Sequence, residues 1–347
     1  LYIFFLFLAV LNIFFSTGSI HAKTFSINDV ELSTPFKINF NKSKIIDKGF
    51  IKAFNQLILS TAQSKDHKAL KQTPLNQIKS MIDTFSIKEE KFIDDIYYIK
   101  LNVSFNKKII FNLLEEKNIF PSLPLKKDII FIPIIVDQNK NQIKMFSDNI
   151  IYKLWNSNIK QYDLLNYILP TEDLEDLNLI KKNITNLENF KFSEIVKKYN
   201  LENYIVSIFF ISSDRTSLLS KISFNNKKTL RNTLIKNIDF NSNPEIEKLI
   251  ETLKITFEDN WKSENEINTS VKLPITISVK NSNIIKIYQL EEKLSNIDLI
   301  YNYYIYKFDN KNNIYKIIFN GTPEKFFEIM KNNNYEFETE NKIWVMK

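Results

Sequence analysis

Three glycines in 347 residues, Gly18, Gly49 and Gly321, set the tightest limit on what this chain can build. A dinucleotide fingerprint needs closely spaced glycines, so that the backbone can turn sharply and approach a pyrophosphate. A P-loop needs glycine-rich backbone ahead of Lys and Ser/Thr. Neither can be written with these three, so both kinds of nucleotide cradle are excluded. With no cysteine the chain also lacks thiol nucleophiles, disulfides, thiolate metal sites and a lipobox. Of its two histidines, His21 falls in a leader-like segment and His67 in the polar run Gln63-Ser-Lys-Asp-His-Lys68, read as an exposed loop. The sequence therefore calls for no cofactor and no metal.

The remaining composition is that of a folding chain. At 44% hydrophobic and 14% aromatic it can bury cores. Its length suits about two or three domains. The net charge of +7 is interspersed, with Lys126-Lys127, Lys181-Lys182, Lys197-Lys198 and Lys227-Lys228 far apart. Such a surface favours peripheral contact with anionic envelope surfaces, while export argues against nucleic acid.

The export reading rests on Ile3 to Phe15, an apolar core, followed by Ser16 to Ser19 and Ile20-His-Ala22. Cleavage after Ala22 would leave Lys23 first and the mature chain periplasmic. The alternative is an uncleaved anchor. Against it, the apolar stretch is shorter than the roughly 20 residues a spanning helix needs.

Hydrophobic periodicity divides the chain into a signal peptide (1–22), an N-terminal α+β module (23–125), a middle α/β module (126–270) and a C-terminal module (271–347). The first holds a strand at Phe25–Val30, a helix at Ser43–Ala62, a strand at Asp95–Phe105 whose alternation slips near Leu101, and a helix at Asn106–Lys117. In the middle module the apolar run Asp128–Val136 predicts a central strand covered on both faces, and Tyr204–Ile211 a second strong strand. Pro133 in the first suggests an edge or a bulge. Helices are expected over Ser147–Trp155, Thr171–Leu187, Phe192–Tyr199 and Pro244–Trp261. A hairpin is expected around Asn225-Asn226-Lys227, and a polar linker over Lys262–Ser270. The terminal module reads βαββαβ, a ferredoxin-like split unit, with Thr322-Pro323-Glu324 as a helix start. The fold class expected is therefore α/β and α+β in several modules.

Four segments carry a family resemblance: Tyr98–Phe105 running on to Leu114; Phe131-Ile-Pro-Ile-Ile-Val-Asp137 with Trp155 downstream; Leu169-Pro-Thr-Glu-Asp-Leu-Glu-Asp176 followed by Ile195–Asn200; and the terminal module with Trp344. In their order and spacing they resemble an uncharacterised family of exported proteobacterial proteins, domain of unknown function 2066. Asn200 stands where that pattern expects glycine. The middle module also resembles the N-terminal domain of the periplasmic translocation protein TolB, a layer that binds other envelope proteins. The resemblance implies architecture and compartment, and brings no activity.

Three local features are candidate sites. Glu172, Asp173, Glu175 and Asp176 form a carboxylate cluster that could bind calcium or act as an acid/base pair. Read structurally, it is a helix start with Asp173 or Thr171 as cap and acids favoured by the macrodipole. Tyr304 and Tyr306 share one face of an aromatic strand and could stack on sugars or a protein. Arg215, after the second core strand, could hold an anion or lie in a solvated turn. The function these features suggest is a non-enzymatic periplasmic adaptor or assembly factor whose partners are envelope proteins. A carrier of lipid or another hydrophobic ligand, and a carboxylate-dependent hydrolase, are the alternatives.

Overall fold

The computed structural model describes residues 24–213, 215–235, 238–282, 284–308 and 310–347. The predicted signal peptide, with its cleavage site, lies outside them. The fold is mixed α/β. Its helices are α1 (Lys42–Thr61), α2 (His67–Leu70), α3 (Leu75–Met81), α4 (Lys107–Glu116), α5 (Ile150–Leu154), α6 (Leu174–Lys182), α7 (Ser193–Lys197), α8 (Asn243–Glu264), α9 (Ile284–Asn296) and α10 (Pro323–Asn332). The strands are β1 (Thr24–Pro35), β2 (Ile82–Ile93), β3 (Ile96–Asn106), β4 (Lys127–Asp137), β5 (Gln142–Lys144), β6 (Leu165–Ile168), β7 (Tyr204–Ile211), β8 (Thr216–Phe224), β9 (Lys227–Ile235), β10 (Leu273–Lys280), β11 (Ile300–Phe308), β12 (Asn312–Phe319), β13 (Phe337–Glu338) and β14 (Trp344–Met346). No described helix is long and apolar enough to cross a membrane.

The described chain forms two compact units. One comprises residues 24–53, 74–117 and 269–347; the other comprises 54–73 and 118–268.

The first unit contains two sheets. In the antiparallel sheet β1-β3-β2 the central strand alternates without interruption. Tyr97, Ile99, Leu101, Val103 and Phe105 are all buried. The expected slip near Leu101 is absent from β3; register shifts fall on its neighbours, between Ile27 and Val30 and along β2. Strand β2 escapes the sequence pattern because almost all of it faces solvent, with Asp83, Lys88, Glu89, Glu90 and Lys91 among its apolar residues. On α1, a Cβ at Gly49 would collide with the Leu101 side chain, so this glycine serves close helix–sheet packing rather than a turn.

The other sheet of this unit has the order β11-β12-β10-β14-β13. Ile275, Ile277, Val279, Tyr315, Ile317 and Phe319 pack with Leu290 and Leu294 of α9 and Phe326 and Met330 of α10. Thr322 caps α10 as its sequence predicts, accepting from the Lys325 N–H, with Pro323 opening the helix. The βαββα part follows the split-unit pattern. The expected single closing strand is instead a hairpin: β13 takes the edge, and β14 returns beside β10, parallel to it. The five residues between Phe337–Glu338 and Trp344–Met346 make room for that reversal, and Trp344 packs on Phe327 at 4.6 Å.

The second unit is a single six-stranded sheet, β5-β4-β7-β8-β9, with β6 also paired to β4. Strands β4, β6 and β7 are parallel, and β8 and β9 complete an antiparallel extension. As predicted, β4 is covered on both faces, and so is β7. Ile129, Phe131, Ile135, Ile205 and Phe209 point to one core with α8, whereas Ile130, Ile132, Ile134, Val136, Val206 and Ile208 point to the other. One edge of β4 is shared, β6 pairing residues 127–130 and β5 residues 135–137. Pro133 falls in the gap between them, where no ladder N–H is needed, and its carbonyl accepts from Asn149 Nδ2 at 3.0 Å. The Lys262–Ser270 stretch is no free linker. Helix α8 extends to Glu264, Ser122 bridges to Glu266, and Ile267 donates its N–H to the Pro121 carbonyl at 2.8 Å.

With glycine so scarce, the left-handed turn positions fall to asparagine and aspartate. Asp29, Asp94, Asp95, Asn118, Asn141, Asn200, Asn225, Asn226 and Asn334 all have positive φ, and among the described residues only Phe146 joins them. Short polar side chains tolerate this region by bonding locally. Asp94-Asp95 and Asn225-Asn226 are two-residue hairpin loops with both φ positive, the type I′ pattern that suits strand twist. Asn200, before β7, has φ 53°.

Candidate functional sites

The acidic stretch is a helix start. Asp173 has extended backbone geometry and its Oδ1 accepts the N–H groups of Glu175 and Asp176 at 2.8 and 3.3 Å. Its Oδ2 and Asp176 Oδ1 both take the Lys198 ammonium, at 2.6 and 2.7 Å. Lys198 therefore holds the Asp173 carboxyl below its usual range, helped by the capped N–H groups. Glu172 turns elsewhere and accepts the Ser147 N–H at 3.1 Å, while Glu175 is exposed on the first helical turn. Tyr199 receives the Thr171 N–H, and Tyr152 donates to the Pro170 carbonyl. The four acids do not converge on a common point: two share one lysine and two diverge. A carboxylate with lowered pKa adds stability above its unfolded value, lost as pH falls through the folded value. Asp173→Ala should therefore lower the melting temperature at neutral pH, and the gap from wild type should close below the carboxylate range. Thermal melts across pH measure this.

Tyr304 and Tyr306 lie on β11, an edge strand. Register shifts at Tyr301 and Tyr306 leave Asn302 to Ile305 in regular pairing with β12. Tyr304 opposes Lys316, whose ammonium sits 3.9 Å from the centre of the Tyr306 ring. The two tyrosines thus share a face despite the bulge. Tyr306 is 59% exposed and Phe308 77%. Arg215 is exposed in the loop joining β7 to β8, and its carbonyl accepts from the Ser212 N–H and hydroxyl, which fits a solvated turn.

A further cleft lies in the second unit, lined by none of these candidate residues. It measures about 760 Å³. It runs along α8 and is closed by the end of α1, the Ser64–Lys71 segment and the chain from Leu154 to Asp163. The apolar stripe of α8 (Ile246, Leu249, Ile250, Leu253, Phe257, Trp261) is buried as predicted. The charged row Lys254, Glu258 and Lys262 borders that stripe at one-turn spacing, so it lines the cleft from its base. Glu258 is only 8% exposed, and its Oε1 accepts the N–H groups of Leu164 and Leu165 at 2.9 Å each. Burial pushes its pKa up to about 7, against the opposing pull of those N–H groups and of Lys262. Burial also lowers the pKa values of Lys254 and Lys262.

His67 is a correction. It is half-buried rather than exposed, lines the cleft, and its Nε2 lies 2.9 Å from the Ala62 carbonyl. Burial lowers its pKa. That bond assigns the proton to Nε2. Ser64 bonds directly to Asp259, through its hydroxyl at 2.5 Å and its N–H at 2.9 Å. Serine, histidine and aspartate thus share the cleft without forming the nucleophile–base–orienter chain of a hydrolase. Sequence reasoning passed over Glu258 and Lys262 because a charged residue beside an apolar stripe reads as the solvated flank of a helix. The available signal was the exact one-turn repeat of Lys254, Glu258 and Lys262 along that flank.

Compared with known proteins, the sequence matches no family model and no curated protein.

Proposed function

We propose that the chain is an exported, non-enzymatic adaptor that holds an extended segment of an envelope protein along the free edge of β11. The observation that carries this reading is a contrast among the sheet edges. Exposed edges template unwanted pairing, and proteins blunt them with charges, proline or brevity. Edge strand β1 carries Asp29, Glu31 and Pro35; β2 carries five charges; β9 carries Lys227, Lys228 and Arg231; β5 and β13 have three and two residues. Strand β11 is nine residues long and reads Ile-Tyr-Asn-Tyr-Tyr-Ile-Tyr-Lys-Phe, with Lys307 its one charge.

An unblunted aromatic edge suits strand addition, in which the backbone supplies affinity and tyrosines supply anchoring area. Between its two register shifts, Asn302–Ile305 form an unbroken run paired with β12. The alternatives have less support. The cleft along α8 is lined by many charged groups, unsuited to a wholly apolar passenger, and of the acids at Glu172–Asp176 three are engaged in capping, pairing or backbone hydrogen bonds. Export rests on the apolar run Ile3–Phe15, and the likeness to exported envelope proteins on motif order.

Tyr304→Lys with Tyr306→Glu should reduce recovery of the crosslinked partner at least about tenfold, as expected for two anchor residues, with an unchanged melting temperature. Equal recovery from the double variant would refute this use of β11.

A further inference from the structure

The cleft along α8 has an imbalance of donors and acceptors. Four of its carboxylates are served by the protein. Glu258 takes two backbone N–H groups, Asp259 takes the Ser64 N–H and hydroxyl, and Glu251 takes the Lys160 ammonium at 2.6 Å. Asp163 accepts the Lys160 N–H at 2.9 Å. Two of its lysines are not. Lys254 reaches only the Asn158 carbonyl, at 3.2 Å, and has no carboxylate within ion-pairing distance among the described residues. Lys262 is 3% exposed, and its nearest carboxylate oxygen is that of Asp259 at 3.8 Å.

A second observation points the same way. Trp155 lines the cleft, yet its Nε1 is buried with no partner, and so is the hydroxyl of Tyr167. Buried tryptophan and tyrosine ordinarily find partners, and an orphan donor calls for a reason. The two rings pack edge to face at 5.2 Å, and the Lys254 ammonium lies 5.7 Å from the centre of each. Unmatched donors therefore gather at the Trp155 end of the cleft, beside an apolar wall that includes Leu154 and Ile250.

We propose that this cleft binds a small organic anion, its acidic group paired with Lys254 at the Trp155 end and its apolar body lying along α8. Lys262, two turns further on, adds a weaker attraction. The volume falls in the range of about 300–1,000 Å³ that small-molecule sites occupy. This inference stands apart from the β11 reading, since it concerns the other unit and another ligand class.

The test titrates the full chain with 8-anilinonaphthalene-1-sulfonate, an aromatic anion, and with its uncharged analogue N-phenyl-1-naphthylamine. One saturable sulfonate site is expected. Lys254→Met should weaken it about tenfold or more, the scale of one charged hydrogen bond. Lys254→Arg should restore most of the affinity. Lys262→Met should cost less than Lys254→Met, and neither methionine variant should change the uncharged probe. Hydrogen exchange on the wild-type chain supplies a readout that needs no variant: the sulfonate should protect amides of residues 155–163 and 247–262. Protection located elsewhere, or sulfonate affinity indifferent to Lys254→Met, would overturn the proposal.

Discussion

Replacing Trp155 by alanine is expected to cost about 3–5 kcal/mol of folding stability, the scale of emptying a large buried aromatic site. The indole is fully buried and stacks on Phe131 at 3.7 Å, with Tyr167 and Phe257 packed around it. It therefore joins α5, β4, β6 and α8 in one contact. Neighbours drawn from three other elements cannot all close on the void, so the cavity term adds to the transfer term. Trp155→Phe should recover most of the loss, because it keeps ring contact and removes an N–H that has no partner. Urea denaturation of the two variants measures both values. A loss near 1 kcal/mol for the alanine variant would mean that this site collapses freely.

Glu258→Gln is expected to stabilise the protein above neutral pH. The folded carboxyl has its pKa raised from the ordinary 4.5 to about 7, so between those values the folded state holds a proton that the unfolded state has released. Stability from this group is thus greatest below the unfolded pKa and declines as pH rises to the folded one. The full difference is worth about 3 kcal/mol. Glutamine keeps an acceptor for the Leu164 and Leu165 N–H groups and carries no charge to desolvate. The variant should match wild type near pH 4.5 and exceed it by up to about 3 kcal/mol above pH 7. Loss of attraction to Lys262 trims that gain. His67 works with the opposite sign: its lowered pKa makes stability rise with pH up to its unfolded value near 6.5. The difference between variant and wild type cancels that contribution. Denaturation at several pH values provides the curve, and a flat difference would show that folding does not raise the Glu258 pKa.

The legible parts of the fold were those in which one physical signal dominates. The buried runs of β4 and β7, the stripe of α8 and the Thr322 cap follow from hydrophobic period and capping chemistry, and the structure has them where the sequence placed them. Strand β2 and the four-residue β6 were not legible: one faces solvent along nearly its whole length, the other is too short to show a period. The helices expected over Ser147–Trp155 and Thr171–Leu187 are shorter, at Ile150–Leu154 and Leu174–Lys182, because asparagine and aspartate side chains cap them late and turns follow. In the terminal module the β13–β14 reversal reads as one strand, since the two halves are only two and three residues long.

Of the candidate sites, the Asp173 cap and the Tyr304–Tyr306 face could be placed from local spacing alone. The cleft could not. Its walls come from residues 59–71, 154–163 and 244–262, and only the folded unit brings a half-buried histidine, an under-served lysine and a raised glutamate to one surface. The same argument explains why three glycines suffice. Turn positions that need left-handed backbone are filled by asparagine and aspartate, a substitution visible in composition but assigned to particular turns only by the structure.

The adaptor reading is tested most directly by placing a photoactivatable phenylalanine analogue at Tyr304 in the natively expressed chain, with the same analogue at Leu234 on the charged edge β9 as comparison. Illumination in the cell should give one discrete protein adduct from position 304 and none from 234, and Tyr306→Glu should suppress it. No adduct from position 304, or the same adducts from both edges, would contradict the claim that β11 is the docking edge.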